Sequence, residues 1–170
     1  VIYHSYNKGK GTSVREGIQE ASGELVVIQD ADLEYDPKEY FALMKPILEN
    51  RADIVLGARF QGSYSGLFMH RLGNKFLTGF INVLFASRLN DYATCYKIAR
   101  KDIFTQLGLR ARNFDIEVEI ICKALRGHLR IVEVPISYRG RTYEDGKKIN
   151  WKDGVAAIWH IIRFNLFTYK

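Results

Sequence analysis

Two aspartates two residues apart, Asp30 and Asp32, stand at the end of an apolar run over residues 24–29. If that run is a strand, side chains at i and i+2 project to the same side. Two carboxylates so placed offer hard oxygen donors to one divalent cation. Mg²⁺ commonly takes one or two carboxylates and completes its shell from water and phosphate oxygens. The chemistry suggested is the handling of a phosphorylated substrate beside a metal ion. A solvated turn is the ordinary alternative, because so short a pattern recurs by chance. Glu34, two residues further on, either joins the same cation or is simply solvated.

Cations recur along the chain where they could answer those carboxylates. Arg59 directly follows a second apolar run, residues 54–58. Ligands bind at the C-terminal ends of strands in open α/β sheets, and an arginine there can hold a phosphate through two parallel hydrogen bonds. Arg71 opens an amphipathic segment that can reach the same region. Arg139, Arg141, Lys147 and Lys148 crowd one loop. Such a loop can close over a pyrophosphate and neutralise its developing charge. Surface salt bridges and a solvated basic loop are the bland readings of these groups. Lys10 lies in Asn7-Lys8-Gly9-Lys10-Gly11, ahead of a helix. Glycines let a backbone approach a ligand, and helix starts attract anions. The spacing is not that of a Walker loop, and an ordinary turn explains it equally well. Asp91 sits in the polar turn Asn90-Asp91-Tyr92-Ala93-Thr94-Cys95-Tyr96-Lys97. A carboxylate there can act as base or orienting group, although by itself it would pass for a turn aspartate.

The elements that must position these groups alternate between strand-like and helix-like, which predicts an α/β fold with a largely parallel sheet. Residues 1–3 read as the end of a strand. Ser13 and Glu16 read as a capping box opening a helix that stops at Gly23. Asp36 and Pro37 start a second helix, running to about Asn50 and carrying Pro46 inside it. Residues 71–85 are amphipathic at helical spacing. Residues 96–99 read as a strand and 101–107 as a short helix. Asp115 caps a helix ending at Gly127, and Pro135 gives the run 131–138 an edge position or a bulge. A polar loop covers 140–148, and an apolar helix covers 151–167.

The 170 residues suffice for one domain with a sizeable core. No apolar run is long enough to span a bilayer, and no signal-peptide pattern opens the chain. The net charge of +6 invites an anionic partner. The basic residues are scattered, so nucleic acid is not expected; phosphorylated substrates or an anionic membrane surface account for the charge as well. Cys95 and Cys122 lack metal-ligand spacing and read as buried free thiols.

Taken in order, the motifs resemble the family-2 glycosyltransferases of GT-A fold, in particular the branch of dolichyl-phosphate mannose synthases and polyprenyl-phosphate sugar transferases. The resemblance is carried by Asn7-Lys8-Gly9-Lys10-Gly11 with Arg15-Glu16-Gly17, Gln29-Asp30-Ala31-Asp32-Leu33-Glu34, Gly57-Ala58-Arg59-Phe60, the Asp91–Lys97 turn, Glu133-Val134-Pro135-Ile136-Ser137-Tyr138 and Gly140-Arg141-Thr142-Tyr143-Glu144-Asp145-Gly146-Lys147-Lys148. It implies a three-layer sandwich around a mostly parallel central sheet. It implies that Asp30, Asp32 and Glu34 hold Mg²⁺ or Mn²⁺ on a nucleotide sugar of the GDP-mannose or UDP-glucose type. By the same resemblance Lys10, Arg59, Arg71, Arg139 or Arg141, Lys147 and Lys148 contact substrate phosphates, while Asp32 and Asp91 lie next to the reacting sugar. The acceptor implied is a polyprenyl or dolichyl phosphate. The hexose is moved with inversion, at the cytoplasmic face of a membrane to which the protein is peripheral.

The resemblance departs at the start. The family's opening strand, Tyr-Asn-Glu turn and Asp-Gly-Ser segment do not precede Val1. Residues 1–170 are therefore expected to be one partial catalytic domain lacking the N-terminal nucleotide-binding segment. It should bind nucleotide poorly alone and expose an unpaired sheet edge. The helix at 149–170, with that at 71–85, lies either on a bilayer surface or in an ordinary core. Two other functions stay open: a non-catalytic module derived from such an enzyme, and transfer to a saccharide acceptor. The absence of Gln-x-x-Arg-Trp speaks for the lipid phosphate over the second.

Overall fold

The computed structural model describes residues 1–141 and the helix at 151–166. Its centre is a four-stranded sheet of order β1 (Leu25–Ile28), β4 (Lys97–Arg100), β2 (Ile54–Ala58), β5 (Ile131–Pro135). β4 runs antiparallel to both neighbours and β2 pairs parallel with β5. Three of the four strands therefore point the same way and β4 is reversed. β2 is buried along all five residues, so both faces of the sheet are covered and the layers number three. β-Branched and apolar residues fill these strands, as they do where both faces are covered. β1 is an edge, pairing only with β4 among the described strands, which matches the expected open edge. A small parallel pair, β3 (Tyr64–Ser65) with β6 (Tyr138–Arg139), stands beside the main sheet.

Six helices complete the described residues: α1 (Lys10–Glu20), α2 (Tyr40–Leu48), α3 (Phe68–Phe85), α4 (Lys101–Gln106), α5 (Ile116–Arg126) and α6 (Trp151–Leu166). Asp36 starts the second helical segment as its sequence predicts. Its carboxylate accepts from Lys38 N at 2.9 Å, ahead of a single 3₁₀ turn begun by Pro37. Cys95 and Cys122 are buried free thiols, and burial pushes the pKa of each up to about 12.

Three local expectations are corrected. Residues 1–3 form no strand, because no described strand lies alongside to supply a ladder. Ser13 caps nothing: α1 begins at Lys10, and the Ser13 hydroxyl instead donates to the Gly9 carbonyl within the helix, at 3.4 Å. Glu16 turns to His4 and Lys8, at 2.5 and 3.3 Å. Asp115 occupies the cap position of α5 without a side-chain cap bond; its carboxylate accepts from Asn113 N at 3.0 Å.

The glycines at the start of α1 serve packing. A Cβ on Gly9 would meet the Arg112 carbonyl oxygen at 2.3 Å, and one on Gly11 the Ala111 carbonyl oxygen at 2.5 Å. Gly9 also has a φ of 87°, which favours glycine. The first turn of α1 thus lies against the backbone of 111–112, and Thr12 N donates to Arg112 O at 3.2 Å. That segment is itself fixed by the buried Glu119, which accepts from Arg110 N and Ala111 N at 2.9 and 2.8 Å. Protein backbone takes the place at this helix start that the sequence offered to an anion.

Candidate active site

Asp30 and Asp32 lie in the bend after β1, not in the strand, so strand alternation does not set their directions. Asp30 is anchored by its own N–H, which donates to Cys95 Sγ at 2.9 Å. Its carboxylate accepts from Lys10 Nζ at 2.7 Å. Asp32 turns elsewhere and accepts from Arg141 Nη2 at 3.1 Å. Each member of the acidic pair thus carries a cation of the chain, one from α1 and one from the segment after β6.

Glu34 is the hinge between the acidic bend and that segment. Its Oε2 accepts from the Tyr138 hydroxyl at 2.7 Å, and its Oε1 from Arg141 N at 2.8 Å. Arg141 Nε approaches the same Oε1 at 3.5 Å. Burial, then the hydrogen bond and charge of Glu34, raise the Tyr138 pKa, so the hydroxyl stays a donor. The sequence leaves Glu34 either on the same cation as Asp30 and Asp32 or solvated; in the structure it faces the 138–141 segment. Its oxygens are engaged by the 138–141 segment, and no group of three or more His, Cys, Asp or Glu poised for a metal occurs among the described residues.

The two aspartates still fit a divalent cation of one kind. They are hard donors, neither is fully buried, and both already attract positive charge. With two carboxylates and no third, the match is to a cation that draws the rest of its shell from water and phosphate, as Mg²⁺ and Mn²⁺ do.

Arg59 and Asp91 form the most buried ion pair of the region. Arg59 Nε and Nη2 donate to the two Asp91 oxygens at 2.7 and 2.6 Å, and Arg59 N adds a third bond at 3.2 Å. Asp91 is 0% exposed and Arg59 7%. Burial works to lower the Arg59 pKa, but the Asp91 carboxylate outweighs it and the guanidinium stays charged. The sequence leaves Asp91 open as a base or an orienting group near the reacting sugar. With both oxygens committed to Arg59 and no solvent contact, it orients that arginine instead. Its turn is held by Glu133 on β5, which accepts from Asn90 N and Asp91 N, each at 2.8 Å.

Aromatic rings frame the two arginines. The Arg59 guanidinium lies 5.1 Å from the Tyr138 ring centroid and 5.4 Å from that of Phe60. Arg71 lies 5.6 and 5.5 Å from Phe60 and Tyr64, and no carboxylate among the described residues pairs with it. Arg139 is exposed and enters through its backbone, donating to Glu34 O at 3.0 Å. Of the two loop arginines the structure thus brings the side chain of Arg141, not that of Arg139, to the acidic bend. Lys147 and Lys148 lie outside the described residues. An open groove of about 490 Å³ leads away from Lys10 and Asp30 between α1 and the free edge of β1.

Three residues that build the site escape the sequence reading. Tyr138 and Lys97 are named there only as members of longer motifs, with no role of their own, and Glu117 is passed over inside a helix. Lys97, 0% exposed, donates to Glu117 and to the Thr94 carbonyl. A signal does exist: a lysine inside a strand, and two glutamates inside the apolar first turns of α5, require partners if buried.

Paired aspartates thus follow β1, one facing Lys10 and the other Arg141, while the arginine at the end of β2 is held by Asp91. Residues 1–108 match the model of glycosyl transferase family 2, and the chain belongs to that family. It is 30% identical over 158 residues to a dolichol-phosphate mannosyltransferase of Pyrococcus furiosus, covering 88% of this chain and 44% of that protein. It is 26% identical over 171 residues to the low-salt glycan biosynthesis hexosyltransferase Agl6 of Haloferax volcanii, covering 98% and 40%. The chain thus spans less than half the length of these relatives. Among solved structures, glucosyl-3-phosphoglycerate synthase from Mycobacterium tuberculosis with Mn²⁺, uridine diphosphate and phosphoglyceric acid aligns with a TM-score of 0.70. Identity there is 16%, over 95% of this chain and 56% of that one. That likeness shows the fold, the GT-A architecture.

Proposed function

We propose that this chain is part of a divalent-metal-dependent inverting glycosyltransferase that moves a hexose from a nucleotide sugar to a polyprenyl phosphate. The carrying observation is that Asp32 and Glu34 meet Arg141, while Tyr138 links Glu34 to Arg59. The acidic bend thus faces the Arg141 guanidinium, with the Asp91-paired Arg59 behind the Tyr138 ring, so a cation on the aspartates and Arg141 are the groups that would neutralise a diphosphate. The reaction replaces the anomeric C–O bond to the diphosphate with a C–O bond to the incoming acceptor on the opposite face. A divalent cation held by Asp30 and Asp32 would stabilise the charge on the departing diphosphate. Arg71, with no carboxylate partner among the described residues, is free to bind a phosphate, and its aromatic neighbours Phe60 and Tyr64 restrict its position.

Asp91 supports the choice of acceptor. A hydroxyl acceptor needs a base, and this carboxylate is sealed against Arg59. A phosphate oxygen is already anionic and needs none. The 30% identity to a dolichol-phosphate mannosyltransferase points the same way. We further propose that α3 and α6 rest on the cytoplasmic face of the membrane bearing that lipid. No helix among the described residues is long and apolar enough to cross a membrane. Exposed Phe68, Leu72, Phe76 and Val83 instead make one stripe on α3, and Val155, Trp159 and Leu166 one on α6.

The test is transfer of radiolabelled hexose from GDP-mannose or UDP-glucose to polyprenyl phosphate. Asp30→Asn and Asp32→Asn should each abolish Mn²⁺-dependent transfer. Undiminished transfer by either variant would overturn the assignment.

A further inference from the structure

We propose that Lys10 is a built-in competitor for the divalent cation at Asp30, and that Glu117 is the carboxylate that receives Lys10 when the cation binds. The proposal rests on the reading of Asp30 and Asp32 as cation ligands and adds a positioning role for two residues outside that pair.

Lys10 Nζ stands between two carboxylates from different elements. It is 2.7 Å from Asp30 Oδ2 and 2.6 Å from Glu117 Oε1 in the first turn of α5. An ammonium and a divalent cation attract the same carboxylate oxygens and repel each other strongly at such range. Cation binding at Asp30 therefore requires Lys10 to withdraw. A lysine suits that movement, since its compact charge rides on a flexible stem with rotatable donors.

The receiving end is already built. Glu117 Oε1 is buried and already lies 2.6 Å from Lys10 Nζ, slightly nearer than Asp30 Oδ2. Leaving a buried carboxylate without its cation is costly, so Lys10 keeps this contact when it releases Asp30. Glu117 cannot move toward Asp30 to meet the lysine, because its other oxygen is gripped by the fully buried Lys97 of β4. The Phe114 ring, 5.8 Å from Lys10 Nζ, extends the same side with a surface that favours a cation. Lys10 would thus shift a short way from the acidic bend toward α5. Lys10 leaves Asp30 only when a rival cation displaces it.

The chain tested is the protein with Mn²⁺ alone, without nucleotide, free Mn²⁺ being read from its electron paramagnetic resonance signal. Lys10→Met removes the competitor and keeps the length of the side chain. Its Mn²⁺ dissociation constant should fall on the order of three- to ten-fold below wild type. Lys10→Arg retains the charge and should stay close to wild type. Asp30→Asn should remove the tightened site in the Lys10→Met background. A thermal melt checks each variant, and Lys10→Gln replaces Lys10→Met if the latter does not fold. Equal or weaker Mn²⁺ binding by the folded Lys10 variant, with Asp30→Asn still abolishing binding, overturns the competitor and leaves the acidic pair intact. Mn²⁺ binding indifferent to Asp30, or none in any variant, overturns both.

Discussion

The Tyr138 hydroxyl donates to Glu34 at 2.7 Å while the face of the same ring lies 5.1 Å from the Arg59 guanidinium. One side chain at the start of β6 thus ties the acidic bend after β1 to the buried arginine at the end of β2. Neither β1 nor β2 touches the other in the sheet; β4 separates them. The site's two charged walls are therefore joined by a tyrosine side chain as well as through β4, which pairs with both strands.

Tyr138→Phe keeps the ring over Arg59 and removes only the hydroxyl. Glu34 Oε2 then loses its donor, and the segment carrying Arg141 loses one of its ties. The variant should lose about 1 kcal/mol in urea unfolding. Its KM for nucleotide sugar should rise more than its kcat falls, because a positioning contact and no reacting group has gone. A kcat loss with unchanged KM would contradict that account.

Asp91→Ala should be among the most destabilising single changes in the chain. It leaves a 7%-exposed guanidinium without its bidentate partner, a loss of about 3–5 kcal/mol. Arg59→Leu combined with Asp91→Leu should recover part of it, since the two act as a unit. Chemical denaturation of the two single variants and the double measures the coupling. A stable, merely inactive Asp91→Asn would instead favour the base, the other role that the sequence left open for Asp91.

That contrast shows what the sequence carried. Asp30, Asp32 and Arg59 stand out as candidates because each follows an apolar run, and strand ends in such sheets are where ligands gather; between Arg139 and Arg141 the sequence does not choose. The order of the motifs named the fold. What sequence could not carry was pairing. Whether Asp91 faces a substrate or Arg59 depends on the approach of two loops 32 residues apart. Likewise, Gly9 and Gly11 read equally as a phosphate cradle or as a packing contact until the backbone of 111–112 is seen against them. The capping box failed for a local reason: Gly9 took the start of α1 and put Ser13 inside the helix.

The pH dependence of stability has a readable contributor away from the site. Asp53 accepts from Arg130 N, Nε and Nη2 at 2.7, 3.1 and 2.8 Å, joining the starts of β2 and β5. The side-chain bond to Arg130 is the largest cause holding its pKa below the usual carboxylate value. A depressed folded-state pKa means that the unfolded chain binds the proton more readily. The stabilisation is therefore complete above the unfolded pKa, near 4, and is lost as pH falls through the lower folded value. Asp53→Asn should melt below wild type at about pH 7, and the gap should close as the pH falls through the lowered folded-state value. Thermal melts of the two proteins at both extremes test the sign.

The membrane reading makes its own demand on α3. Phe68, Leu72, Phe76 and Val83 fall within an arc of about 100° at helical periodicity, and all four are exposed. Arg71 and Lys75 flank that arc, and the helix contains no acidic residue. Such a face pairs apolar insertion with attraction to anionic headgroups. α6 packs against α3 and adds Trp159 to the same need for cover. Arg71 also reaches the aromatic wall of the site, so a lipid phosphate arriving along α3 would meet a guanidinium first. Flotation with vesicles of mixed zwitterionic and anionic lipid should carry the wild-type protein to the top fraction. The double change Phe68→Asp with Phe76→Asp should leave the protein in the bottom fraction with its fold intact by circular dichroism. High salt should weaken flotation without abolishing it, since only the headgroup attraction is screened. Flotation unaffected by the double change would remove α3 from the membrane face.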